Sequence, residues 1–561
     1  MWEHMRKVQE IFNRLGNKSQ TIVAQSRLMQ VPVQQVDENT NFPTDPAGVK
    51  SWLVTHNAFG ENDSLHTLKS ILEHCNRSPV SSQQRLEIMQ QFEKSCARIL
   101  QELDKQYLYR DFPLHEDSEA ALAASIKLCE EMAYGYKLAL CESTDNQKSL
   151  NINNRAHAIS HALEHLSRQA LRLSMVYRTW PDSIWQDAIA LVQIAQLDRT
   201  ENLINGTQPL SVIDQYAQLC SFYLLATGNF QINELRALFI DLSNQVSTVT
   251  FQTKPDANID EQFCTVKNRP PTSVQLSQIE KSDKPLYFSL NSLVQDLKAI
   301  PEYRESPPTY LKHLNASDQH SPAPALSRDN NINAVTGLSE IHTLMGLMPP
   351  ANDTEQQYTN PADLIQGNAS STQNIEQLLC QPDTSNVGTG FTAEKQSTDR
   401  MELRLCRSGS CQVQVGELIA HYYGESSDKL NWHIGIIDCL KTEENNSLKV
   451  GVKSIADHAR AVNVCRVRNG KKQSDTSIAG VLSNYKTTSS RAAQLLLPAH
   501  SFKLGETVYF SDGTCTRLLR LAEVVSNNNR YQSFAVYTVQ NKPQQVYADS
   551  SVIAFKQPVA A

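Results

Sequence analysis

The chain changes rhythm about halfway. From Trp2 to about Gln245, apolar residues recur every three or four positions, the spacing that keeps them on one face of a helix. Leu86, Met89, Phe92, Cys96, Ile99, Leu103 and Tyr107 form one such stripe, and Ser81 with Gln84, after Pro79, makes a capping box at its start. Leu122, Ile126, Cys129, Ala133, Tyr136 and Leu140 form a second, opened by Glu116, Asp117 and Glu119. A third runs from Ile159 through Leu163, Leu166, Ala170 and Leu173 to Tyr177, ahead of Trp180-Pro181. Shorter helices are predicted near 182–198, 212–227 (with Gly228 as a stop) and 233–245. Punctuation at Pro43, Pro46, Pro113 and Pro181 favours a bundle with short connections over one long coiled coil. No 34- or 40-residue self-similarity is evident.

Nine prolines between 255 and 324 break the stretch 246–327, where one helix near Ser289–Ile300 is expected and the remainder reads as linker. From about Ile332 the period becomes two. Cys411-Gln-Val413-Gln-Val415 alternates, as do Trp432, Ile434 and Ile436, then Leu448, Val450 and Val452, then Val462 and Val464. Gly424 and Asn445-Asn446 divide these short strands, which describe an antiparallel barrel or sandwich. After the basic run Arg466, Arg468, Lys471 and Lys472, a further strand series is expected from Gln494 to Val552. The fold class is therefore α+β, with four regions: a helical bundle at 1–245, a linker at 246–327, a barrel at 328–466 with an inserted loop at 343–377, and a smaller β domain at 467–561.

Composition narrows the function. The 561 residues carry 52 Lys+Arg against 59 Asp+Glu, and a mild acidic excess does not describe a dedicated nucleic-acid binder. No apolar run approaches the ~20 residues that span a membrane. The N-terminus, with Glu3, Arg6, Lys7 and Glu10, does not read as a secretory signal, so a cytoplasmic chain is expected. Twelve scattered cysteines with no Cys-x-x-Cys read as reduced, mostly buried thiols, and no metal site is expected from them.

The histidines His157, His161 and His165 share a helical face opposite Ile159, Leu163 and Leu166. Two such histidines can chelate a metal, but no further ligand motif accompanies them, so solvated histidines are expected. Glu130-Glu131 and Glu443-Glu444 are assigned to the surface. Phosphate loops, nucleophile elbows and zinc-protease motifs are all missing from the sequence, and nothing proposes a catalytic centre. The more informative segment is Asp383-Thr-Ser385-Asn-Val-Gly388, followed by Thr-Gly-Phe391. It offers carboxylate, hydroxyl and exposed backbone N–H groups to a polar ligand, although an ordinary turn has the same composition.

With its context, this segment resembles the PilZ domain: Asp-x-Ser-x-x-Gly, then Val415-Gly416-Glu417-Leu418-Ile419, Trp432-His-Ile434-Gly435-Ile436 and Leu448-Lys-Val450-Gly451-Val452. Arg328 to His342 would be its arm and first strand. The helical half, with Leu108-Tyr-Arg-Asp-Phe-Pro and Tyr177-Arg-Thr-Trp-Pro, looks like the N-terminal region of long PilZ-like proteins. The resemblance implies a six-stranded antiparallel barrel that senses cyclic di-GMP, held by an Arg-x-x-x-Arg arm and the Asp-x-Ser-x-x-Gly turn. Guanidinium forks suit guanine edges and phosphates alike. Carried over, the ligand residues are Arg328, Asp383, Ser385 and Gly388. Ile332 stands at the second arm position, and Arg400, Arg404 and Arg407, downstream of the turn, are the candidate replacements. Losing one bidentate arginine weakens binding by roughly 10²–10⁴-fold.

Two readings follow. In the first the chain is a non-enzymatic signalling effector that needs no cofactor, takes cyclic di-GMP as a regulatory ligand and acts on a protein partner, with surface-motility or pilus machinery suggested by the family. In the second the barrel is a degenerate scaffold that binds a protein and no nucleotide.

Overall fold

The computed structural model describes residues 28–539 except 36–41, 205–209, 275–284, 314–324, 348–388, 406–412, 424–431, 484–492 and stretches of four residues or fewer. Its first part is helical. Eight helices run in order: α1 (Pro46–His56), α2 (Glu61–Arg77), α3 (Ser82–Tyr107), α4 (Glu116–Asp145), α5 (Ile152–Met175), α6 (Asp182–Asp198), α7 (Val212–Leu225) and α8 (Ile232–Gln245). The expected capping box at Ser81 and Gln84 opens α3. Its stripe from Leu86 to Tyr107 is buried throughout. Arg85, on the same helix, is also buried and donates to the carbonyls of Cys75 and Ser78 at 2.8 Å, satisfying the end of α2.

α5 packs against α4, α6, α7 and α8, and beyond its first turn none of its residues is exposed. Its apolar stripe is buried as expected, but so are Ser160, His161, His165, Gln169 and Arg172 on its other faces. A helix covered all round must find partners for its polar residues, and Gln215 donates to Ser160 while Arg172 meets Asp104 of α3 at 3.0 Å.

The stretch 246–327 holds more regular structure than a linker with one helix. Strand β1 (Phe263–Thr265) pairs antiparallel with β2 (Thr272–Ser273) and β3 (Leu286–Phe288). Two helices follow, α9 (Asn291–Ala299) and α10 (Tyr310–His313). Aromatic residues hold this segment on the bundle: Phe251 meets Tyr216 and Phe288, and the hydroxyls of Tyr303 and Tyr310 donate to Asp241 of α8.

Two closed six-stranded antiparallel barrels follow. The first contains β4 (Ala325–Thr336), β5 (Thr389–Gln396), β6 (Arg400–Leu405), β7 (Leu418–Tyr423), β8 (His433–Thr442) and β9 (Leu448–Ala456), in the order β4-β5-β6-β9-β8-β7. The second contains β10 (Ala459–Arg468), β11 (Lys471–Ser483), β12 (Gln494–Pro498), β13 (Thr507–Ser511), β14 (Thr516–Asn527) and β15 (Tyr531–Thr538), in the order β10-β11-β12-β15-β14-β13. Numbered within each barrel, both orders are 1-2-3-6-5-4. Val462 and Val464, expected in the first barrel, belong to the second, because β10 pairs with β11 and β13.

Leu338–His342, expected as strand, is instead the start of helix α11 (Leu338–Leu347). Gly337, at a φ of +88°, ends β4, and Leu338, Ile341, Leu344 and Met345 then share one helical face. That face packs into a core with Ala420, Tyr422 and Trp432 from the first barrel and Val481, Leu496 and Tyr531 from the second.

The chain divides into two units, Met1–Asn330 with Gly390–Gly416 and Ile437–Lys453, and Asn331–Thr389 with Glu417–Ile436 and Ser454–Ala561. Within the first, backbone bonds join helical region to strand: Leu440 N–H to the Gly228 carbonyl at 3.0 Å, and Thr442 N–H to that of Tyr177 at 2.9 Å. Gly228 therefore does more than stop a helix. A methyl group there would collide with the Leu440 carbonyl oxygen. Gly228→Ala should lower stability by about 1–3 kcal/mol, read as an earlier urea midpoint in tryptophan fluorescence. Gly346→Ala, at an exposed helical position with open space around it, should instead raise stability by about 0.5–1 kcal/mol.

Candidate functional site

The expected ligand residues fall into three groups. Asp383, Ser385, Gly388 and Arg407 lie outside the described residues. Arg328 lies in β4, four positions before Ile332. Ile332 is buried at 1% exposure opposite Tyr423, so the second arm position faces the barrel interior. Arg400 and Arg404 lie on the outer face of β6, with Met401 and Leu403 turned inward. Both are engaged: Arg400 stands 3.5 Å from Asp438, and Arg404 pairs with Glu394 at 2.6 Å and Glu443 at 3.4 Å. Lys449, opposite Arg404 in register, bonds Glu443 at 2.8 Å and Glu394 at 3.0 Å. The outer face here is a charge-balanced network.

The second barrel carries residues that the sequence reading missed. Asp475-Thr-Ser477-Ile-Ala-Gly480 repeats the Asp-Thr-Ser-x-x-Gly of residues 383–388, 92 positions later. It lies in β11, the second strand of its barrel, and the first copy immediately precedes β5, the second strand of the other. The register shows a wide bulge: Cys465 faces Ser477 but Val467 faces Lys472, so Gln473–Thr476 stand opposite Arg466 alone. Ser477 is exposed. Gly480 is held close to β12, where a Cβ would sit 3.1 Å from the Leu496 carbonyl oxygen and 2.9 Å from Leu497. An internal comparison of the sequence at this spacing would have found the repeat.

A cleft of about 510 Å³ opens where the α5–α6 corner meets the end of β8. Arg178, Trp180, Asp182, Thr442 and Glu443 line it. Arg178 is fixed by both oxygens of Glu119 at 2.6 and 2.7 Å, and the Trp180 indole N–H donates to Ser174 at 2.9 Å. Its lining carries one cation, Arg178, and two carboxylates, Asp182 and Glu443.

The histidine row is not solvated. His161 and His165 are buried between α3, α4 and α5 around the carboxylate of Glu93. His165 Nε2 lies 2.9 Å and His161 Nδ1 3.4 Å from Glu93, the Tyr136 hydroxyl donates to it at 2.7 Å, and Arg168 stands at 3.6 Å. The Tyr136 ring stacks on both imidazoles. Burial opposes charge on Glu93, but the two imidazoles outweigh it and hold the carboxyl well below the usual range. Burial would also discharge His165, and Glu93 overrides it, holding that imidazole at about 9. His157, at the rim, is pushed down to about 4 by burial and by its neighbour His161. Glu131, assigned to the surface, is likewise buried, and accepts from Asn76 at 2.8 Å beside Lys127 at 3.2 Å. Among the described residues no group of three or more His, Cys, Asp or Glu is arranged to hold a metal ion, and no helix is long and apolar enough to cross a membrane. The eight described cysteines are free.

Residues 47–256 match the family of the cyclic-di-GMP receptor FimW, N-terminal domain. The match spans helices α2–α8 and nearly all of α1, including the Glu93 cluster and the Arg178–Asp182 side of the cleft. No curated protein and no solved structure matches the chain.

The Glu93 cluster makes stability pH-dependent with a definite sign. A histidine raised to about 9 stabilises fully below its unfolded value near 6.5, and that contribution is lost as pH rises through 9. His157, lowered to about 4, acts oppositely, its contribution falling away below 6.5. Urea unfolding from pH 5 to 9.5 should therefore show a maximum near neutrality. Glu93→Gln should cost roughly 3 kcal/mol at pH 6.5 and flatten the alkaline limb; an unchanged limb would mean that His165 is not charged by Glu93.

Proposed function

We propose that this chain is a cyclic di-GMP receptor that works in the cytoplasm without catalysis, passing its signal to a protein partner. The observation that carries this reading is the match of the helical region to the N-terminal domain of a cyclic-di-GMP receptor family. The six-stranded antiparallel barrel of β4–β9 supports the reading, since a barrel of that kind is what the resemblance of residues 328–466 implied. Under it the nucleotide has two places to go, one per barrel: Arg328 with Asp383, Ser385 and Gly388, and the repeat at Asp475, Ser477 and Gly480. The helical region would then be the output surface, with pilus or surface-motility machinery as the class of partner.

A second reading, a scaffold without nucleotide, draws on one observation. The first barrel has Ile332 buried where an arm arginine would stand, and Arg400 and Arg404 are already paired with carboxylates. Calorimetric titration of the full chain with cyclic di-GMP separates the two. The receptor reading expects a dissociation constant on the order of micromolar that weakens between 50 and 200 mM NaCl, because exposed phosphate contacts are screened over about 10 Å. No binding at 50 mM NaCl with millimolar ligand would leave the scaffold.

A further inference from the structure

The cleft at the α5–α6 corner combines fixed aromatic rings with a charge that has no partner. Tyr177, at a φ of +58°, turns the chain out of α5. Arg178 to Asp182 then form one side of the 510 Å³ space, with Thr442 and Glu443, at the end of β8, on the other. Two of the three charges are answered: Arg178 by Glu119, and Glu443 by Lys449 at 2.8 Å and Arg404 at 3.4 Å. The carboxylate of Asp182, exposed in the first turn of α6, has no hydrogen bond or ion pair to any described residue. Beside it, the half-buried Trp180 is fixed by its indole N–H on Ser174, by Trp185 stacked at 5.4 Å and by Tyr223 edge-on at 5.1 Å. Tyr223 is 36% exposed, and burial first and Asp182 second push its phenol upward, so carboxylate and rings share one locality.

We propose that this cleft binds a guanidinium group, an arginine side chain presented by a segment of a partner protein, stacked against Trp180 and paired with Asp182. Indole attracts cations more strongly than the other aromatic rings, and a planar guanidinium can stack on it while its N–H groups reach a carboxylate. An ammonium, a compact and strongly hydrated charge, stacks on nothing and gains less. An anion is disfavoured, since Arg178 is already held by Glu119 and both walls carry a carboxylate. The volume falls within the roughly 300–1,000 Å³ of small-ligand sites, more than a bare ion fills, and the exposed Thr179 can meet the backbone of the incoming segment. The rings are held in place before any ligand arrives, so little ordering cost opposes the contact. No candidate nucleotide residue lines the cleft, so the site stands or falls apart from the receptor reading.

The probe is acetyl-arginine methylamide, titrated into the full chain and followed by tryptophan fluorescence, with acetyl-citrulline methylamide as the neutral control of the same shape. The arginine probe should saturate at roughly millimolar concentration, as one residue of a longer contact does, and the citrulline probe should bind about tenfold more weakly. Acetyl-lysine methylamide, which keeps its side-chain ammonium, should fall between them. Asp182→Asn, at an exposed position that the fold does not depend on, should weaken the arginine probe about five- to tenfold. Trp180→Phe should weaken it about two- to fivefold and remove most of the fluorescence change. Equal affinity for the arginine and citrulline probes, an unchanged affinity in Asp182→Asn, or no saturable response at all would overturn the assignment. So would saturable binding of inorganic phosphate that Asp182→Asn strengthens, since the cleft would then be an anion site.

Discussion

One carboxylate organises the helical region. Glu93 sits among three helices and accepts from, or pairs with, Tyr136 of α4 and His161, His165 and Arg168 of α5. A charge taken out of water is tolerated only when its partners are in place, and removing one partner leaves the rest uncompensated. The same logic recurs through the bundle. Arg172 of α5 meets Asp104 of α3, and Lys137 of α4 is buried against Asp187 of α6, which also accepts the Gln30 N–H. Burial lowers the Lys137 ammonium and raises the Asp187 carboxyl, and the attraction of each for the other opposes both shifts. Hydrophobic stripes alone permit neighbouring helices to slide by a turn; these pairs do not, and they fix the register of α3 through α6. The corner that leaves α5, with Arg178 bound to Glu119 and the Tyr177 carbonyl bound to Thr442, inherits that register.

The barrels show what a fold can keep and what it can vary. Closure in the order 1-2-3-6-5-4 depends on inward apolar residues, met by Val462, Val464, Leu495, Val508 and Phe534 in the second barrel and by Ile332, Phe391 and Leu403 in the first. The outer faces are free of that demand. One has become a lattice of opposite charges around Glu394 and Lys449, the other an excess of exposed arginine and lysine.

Much of this was legible in the sequence, and the reasons for the rest are physical. Helix positions followed from period and punctuation, because stripes such as Leu86–Tyr107 are buried on one side only. His161 and His165 were misjudged because an amphipathic reading assumes a solvent face, which α5 lacks. A strand through His342 with a loop from 343 overlooks that the apolar residues of Leu338–Leu347 step by three and four; the glycine that separates this helix from β4 is the signal. The second barrel was seen as a series of strands but not as a repeat. The chain between β4 and β5 is far longer than that between β10 and β11, so no single period aligns the two copies. For the candidate site, the residue types were legible and their engagement was not: nothing in the spacing of Arg400 and Arg404 reveals that Asp438, Glu394 and Glu443 already hold them.

The missing second arginine can be explained by the geometry of β4. The strand runs continuously from Ala325 to Thr336, so the position four after Arg328 falls inside the ladder. There Ile332, Ala334 and Thr336 face Tyr423, His421 and Ile419, and all three are nearly inaccessible. An arginine at that point would place a guanidinium in the barrel core, at a cost that no surface ligand could offset. The segment that would have been a free arm has been drawn into the sheet, and the substitution is what the sheet requires. In the second barrel the ladder is interrupted between Cys465 and Val467, where Arg466 stands, and again along β14.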